Sequence, residues 1–166
     1  ALMKSVIRNL RATVRNPGDD TARSNLFWAS TMAENRIIKL GKKCDFECHQ
    51  IEHQLGAYTN CNHGFGLAVI LPVYYRHIYR YGLAKFVRFA EEVWKIPRAG
   101  RSDEEMAKAG VEALAGFIQE MGLPTTLREL GISDRAILKE IADSCNISQG
   151  SYKRMTREEI LEMLQE

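Results

Sequence analysis

Leu67-Ala68-Val69-Ile70-Leu71-Pro72-Val73-Tyr74-Tyr75-Arg76-His77-Ile78 is apolar on nearly every side when wound as a helix. A helix with almost no polar face belongs inside a bundle, so this segment is expected to be the central core helix. It is too short to span a bilayer. Pro72 is expected to kink it or mark a break, because proline removes a backbone donor and crowds the preceding turn.

Outward from this segment the chain reads as helix after helix. Toward the N-terminus, Val6, Ile7, Leu10 and Val14 lie at helical spacing, with Lys4, Arg8, Arg11 and Arg15 opposite. Asn16-Pro17-Gly18 is a break. Thr21, Asp19 or Asp20 caps a long helix expected to end near Leu40, with Gly41 just beyond. Residues 46–58 read as a shorter helix, and 59–62 as a tight polar connection. Toward the C-terminus, Leu83, Phe86, Val87, Ala90, Val93 and Trp94 form a stripe ended by Pro97. Ser102-Asp103-Glu104-Glu105 is a capping box for a helix running to Met121 and closed by Gly122. Thr126-Leu127-Arg128-Glu129 opens one short turn stopped at Gly131. Ser133 is expected to cap a helix to about Asp143. Thr156-Arg157-Glu158-Glu159 opens the last helix, with Ile160, Leu161 and Leu164 inward. No stretch alternates with period two. The expectation is one all-α domain over residues 1–166, with eight or nine helices.

Composition agrees. The 166 residues are 45% hydrophobic and 27% charged, which excludes a disordered chain and a membrane bundle. The net charge of +2, from 23 Lys+Arg against 21 Asp+Glu, is too small for a duplex-binding domain. The basic side of the first helix therefore reads as a solvated face or a contact with another domain. Four Cys are too few for a disulfide scaffold and point to a reducing, cytoplasmic setting.

Three of the four His fall between His49 and His63. His49 and His53 are four apart, so on a helix they share a face and can converge on one ion or substrate. His63 follows a turn and can fold back toward them. Neutral imidazole suits Fe(II), Zn(II), Ni(II) and Cu(II). Three readings stay open on spacing alone. His49-Gln50-Ile51-Glu52-His53 fits the H-x-x-E-H pattern of a zinc metallohydrolase, with Glu52 as general base. Cys44, Cys48, Cys61 and His63 could form a structural zinc site, although the spacing is not that of common zinc modules. A redox enzyme's metal could be held by His plus a carboxylate from elsewhere.

The stretch His49-x-x-x-His53-x-Leu55-Gly56-Ala57, then His63-Gly64, then Leu67-Ala68-Val69-Ile70-Leu71-Pro72 resembles the second signature region of the iron-containing alcohol dehydrogenase family. Asn16-Pro17, Ala22-Arg23 and Trp28-Ala29-Ser30 are similar to the run before that signature. Gly122-Leu123-Pro124 through Glu129-Leu130-Gly131-Ile132 resembles a later family segment, and Val93-Trp94-Lys95-Ile96 is similar to the butanol dehydrogenase branch. The resemblance implies the family's C-terminal helical domain, like that of dehydroquinate synthase. It also implies that the N-terminal nucleotide-binding domain is missing from these residues. No strand followed by a Gly-rich turn occurs here, and the first helix offers no Asp and His a turn apart to complete a ligand set.

The resemblance carries metal-ligand roles onto His49 and His63. It places His53 beside the substrate as a catalytic proton relay, with Glu52 pointing away from the ion or supporting it from behind. It implies Fe2+ or Zn2+, and NAD or NADP bound mainly by the missing domain. The implied activity is interconversion of alcohols and aldehydes by metal-assisted hydride transfer. The expected partners are a small alcohol or aldehyde, with homo-oligomer formation an open option and no nucleic acid or membrane. A free-standing helical binding module is the competing non-enzymatic reading. Phe65, Tyr58 and Tyr74 are candidates to line the pocket, and His77 is assigned no role.

Overall fold

The segment at 67–78 is the greater part of a 16-residue helix, His63–Ile78, at the centre of the larger of two units, residues 1–44 and 45–166. The computed structural model describes residues 1–147, 150 and 152–166. Among these every regular element is helical, and none of the helices is long and apolar enough to cross a membrane.

The smaller unit is a helical hairpin, α1 (Leu2–Arg15) and α2 (Asp20–Glu34), followed by a 3-10 turn at Ile37–Lys39. Asp19 is the cap of α2, accepting from the Ala22 N–H at 2.9 Å. The two helices are tied by Asn25, which donates to the side chain of buried Asn9 at 3.2 Å. The expected continuation of α2 to Leu40 does not occur. Asn35 closes the helix, its side chain accepts from the Ile37 N–H, and Arg36 takes a left-handed φ of 70°. The apolar pattern of Ile37, Ile38 and Leu40 therefore continues without the helix, and all three are exposed.

The larger unit begins with α3 (Glu47–Thr59) and α4 (His63–Ile78). Pro72 breaks nothing, and α4 runs through it to Ile78 with Pro72 itself buried. The lost donor is one bond in a helix packed by α3, α6 and α8, which compensates for it. After a 3-10 turn at Tyr79–Gly82, α5 (Leu83–Arg88) passes into a π-helical turn, Phe89–Val93. The expected stripe thus ends at Trp94, three residues before Pro97, with Lys95 at a φ of 58°.

α6 (Asp103–Glu120) opens with the capping box of Ser102 and Glu105, and Gly122 follows it at a φ of 70°. A 3-10 turn at Arg128–Leu130 stops at Gly131, also left-handed. α7 (Arg135–Ser144) is capped by Asp134 rather than Ser133, because the Asp134 carboxylate accepts from the Ala136 N–H at 2.8 Å. α8 (Arg157–Gln165) has the capping box of Thr156 and Glu159. The eight α-helices among the described residues match the expected number. The core runs from Ile51 and Leu55 of α3 through Val69, Ile70, Tyr74 and Ile78 of α4 to Met106, Ile141 and Ile160.

Candidate metal centre

α3 and α4 form a hairpin whose connection sets the geometry of the site. α3 ends where Asn60 turns left-handed at a φ of 55°. Asn62 then caps α4, its side-chain oxygen accepting from the N–H groups of Gly64 at 3.0 Å and Phe65 at 3.3 Å. His63 is therefore the first residue of α4, folded back toward the exposed side of α3. Ile51 and Leu55 on the other side of α3 are completely buried, which fixes the rotation of the helix about its axis.

The histidines converge. His49, His53 and His63 each offer a ring nitrogen, and the three nitrogens lie within 4.8 Å of one another. The ring centroids are 6.1 Å apart for His49 and His53, and 5.5 Å for each of them from His63. His49 is half-buried and the other two are exposed. Among the described residues this is the one such grouping of His, Cys, Asp or Glu, and three imidazole nitrogens this close suit a divalent ion.

Two further side chains shape the cluster. Phe46, at the N-cap of α3, stacks on the His49 ring with centroids 4.6 Å apart and planes 4° from parallel. Sequence reading missed it, although its position one helical turn before His49 is the spacing that brings two rings together. Glu52 is 2% exposed and pairs through its carboxylate with Nδ1 of His63. It lies behind the cluster, against His63. A buried, paired carboxylate is poorly placed to serve as the general base of a hydrolase.

The remaining candidates separate. Cys48 is buried and burial pushes its thiol up, the opposite of what a thiolate ligand needs. Neither it nor Cys61 joins His63 in a ligand group among the described residues. Tyr58 and Phe65 are exposed, whereas Tyr74 is a core residue whose hydroxyl donates to Asp45 at 2.8 Å and to Glu47 at 3.4 Å. Glu47 is fully buried and also accepts from the Met155 N–H at 3.2 Å. Burial, opposed by that bond and helped by the Asp45 charge, pushes its carboxyl up to about 7. His77 lies on the far end of α4, 3.0 Å from the Glu166 carboxylate.

Known proteins resemble this chain over nearly its whole length. NADH-dependent butanol dehydrogenase A of Clostridium acetobutylicum is 30% identical over 98% of this chain, and the NADPH-dependent aldehyde reductase YqhD of Escherichia coli is 30% identical over 86%. The chain spans 43% of the length of the first and 37% of the second. Among solved structures, NADH-dependent butanol dehydrogenase A from Thermotoga maritima superposes with a TM-score of 0.89 at 28% identity, over 98% of this chain and 43% of that one. The sequence model for "Fe-containing alcohol dehydrogenase family, C-terminal" matches residues 1–166, and the chain belongs to that family, to whose C-terminal part it corresponds.

Proposed function

We propose that residues 1–166 are the metal-binding helical domain of an NAD(P)-dependent alcohol dehydrogenase that interconverts small alcohols and aldehydes. The observation that supports this best is the convergence of His49, His53 and His63 within 4.8 Å on a hairpin of a chain in this family. We assign His49 and His63 as ligands of a divalent ion, iron or zinc, and His53 as the catalytic group beside them. When bound, the ion would supply Lewis acidity at the substrate oxygen, and a nicotinamide would supply or accept the hydride. The chain's own residues position and transfer protons. Phe46 holds the His49 ring by stacking, and the buried face of α3 fixes the helix that carries both His49 and His53. His53, exposed at the edge of the cluster, exchanges the substrate hydroxyl proton with solvent. The nicotinamide would be held mainly by a second domain, since no strand precedes a Gly-rich turn among the described residues and the relatives are more than twice as long.

The role division is tested by metal content and turnover measured side by side in the full-length protein. His49→Ala should lose both, because one imidazole is removed from a small ligand set. His53→Ala should keep its metal and turn over about 10²–10⁴-fold more slowly, the usual cost of a general acid–base group. Metal loss in His53→Ala equal to that in His49→Ala would overturn the division.

A further inference from the structure

Glu52 is unusual for a residue next to an exposed cluster: its side chain is 2% exposed while its partner, His63, is 54% exposed. Carboxylates are rarely buried so completely without a specific partner. Here the partner is Nδ1 of His63, eleven residues later and on the next helix. The opposing wall of α4 has been cut away to admit the carboxylate. A Cβ on Gly66 would stand 2.6 Å from Glu52 Oε1, 3.0 Å from its Cγ and 3.2 Å from its Cδ. Gly66 has no positive φ, so backbone freedom does not explain the glycine at this buried helical position. Space for Glu52 does.

We propose that Glu52 is a positioning residue for the metal centre: its buried carboxylate accepts a hydrogen bond from Nδ1–H of His63, leaving Nε2 as the ligand atom, and Gly66 provides the space that holds it there. The proposal rests on the reading of His63 as a ligand. An imidazole has two tautomers, and only the one protonated at Nδ1 presents a lone pair at Nε2. A carboxylate on the opposite nitrogen selects that tautomer, orients the ring and raises its basicity toward a metal. The Glu52 charge also contributes negative potential behind a site whose neighbouring ligands, the imidazoles, are neutral. Because α3 carries His49, His53 and Glu52 together, the same helix supplies both a ligand and the support of the ligand opposite it.

The test uses the full-length protein and two readouts. Nitrogen chemical shifts of the His63 ring report its tautomer with no metal present, and titration with Co2+, a coloured probe for the site, reports affinity. The unsubstituted chain should show His63 protonated at Nδ1. Glu52→Leu should release that preference and weaken Co2+ binding by about 10–100-fold. Glu52→Gln keeps an acceptor without the charge and should fall between the two. Gly66→Ala should reproduce the Glu52→Leu result with Glu52 intact. Circular dichroism separates these effects from loss of fold, and Glu52→Gln, nearly isosteric, remains informative if Glu52→Leu unfolds. Equal Co2+ affinity in the unsubstituted chain and the Glu52 variants, or His63 protonated at Nε2, would overturn the proposal while leaving the metal reading standing. Absence of Co2+ binding by the unsubstituted full-length protein, with the Nδ1 tautomer in place, would overturn the metal reading itself.

Discussion

In residues 1–44 the fully buried side chains are Asn9, Ala22 and Ala29, while Phe27 and Leu40 are each 73% exposed and Trp28 is 66% exposed. In residues 45–166 Ile51, Leu55, Ala90, Met106, Val111, Ile141 and Ile160 are completely buried. The two units differ in how many faces surround each helix. Two antiparallel helices share a single seam, which small alanines and an Asn9–Asn25 hydrogen bond are enough to fill. The larger unit packs helices around α4 on several sides, so large side chains find partners in all directions. The histidine cluster is mounted on that second kind of structure. His49 and His53 flank Ile51 on a helix whose rotation the core holds, which gives their imidazoles fixed positions.

The largest expected contrast is in thiol chemistry. Cys44 is exposed, whereas Cys48 and Cys145 are buried, and burial pushes the Cys145 thiol up to about 11. Alkylation of the native chain at pH 8, followed by peptide mapping, should label Cys44 faster than Cys48 or Cys145 by roughly 10²-fold or more, since the buried pair reacts only through opening. Comparable rates would mean that the core opens as readily as the loop. Next in size, Leu55→Ala should cost about 2–5 kcal/mol in urea unfolding, as for a large aliphatic lost from a filled core. A cost under about 1 kcal/mol would show that α3 is not seated as described.

Gly110→Ala sharpens the comparison within the larger unit. Its Cβ would meet Ala90 at 3.0 Å from Cβ and 3.1 Å from Cα, where α6 crosses the π-helical turn. Overpacking there should cost about 1–3 kcal/mol, read from the shift in denaturant midpoint at unchanged slope. A gain in stability, as helix propensity alone would give, would contradict the close approach. The smallest effect belongs to Phe27→Ala and Trp28→Ala, which should each change the stability of this chain by no more than about 0.5 kcal/mol. A cost of several kcal/mol from either would erase the distinction between the two units.

What could be read from the sequence follows the range of the interaction. The capping boxes at Ser102 and Thr156 were legible because side chain and backbone partner lie three residues apart. The end of α2 was not, because Ile37, Ile38 and Leu40 prolong the apolar pattern past a left-handed Arg36 that nothing in the pattern announces. The π-helical turn at Phe89–Val93 likewise leaves the stripe of Phe86, Val87 and Ala90 intact and shows itself only where the helix stops. At the site, the clustering of a rare residue pointed to His49, His53 and His63. The Glu52–His63 pair crosses the connection between two helices, so its existence depended on how α3 and α4 pack. The Tyr74–Asp45 bond spans 29 residues and turns a candidate pocket residue into a core one.

The three residues from Asn60 to Asn62 also act as a ruler. α4 starts at the residue after its cap, which places His63 at its first position. One residue inserted between Asn60 and Asn62 would disturb the left-handed turn and the cap that bring His63 back toward His49 and His53, with every histidine still present. Substitutions in this connection are constrained at the left-handed Asn60 and the capping Asn62, and its length by the short span it closes. An engineer grafting this histidine cluster onto another helical hairpin would need to copy the turn along with the three side chains.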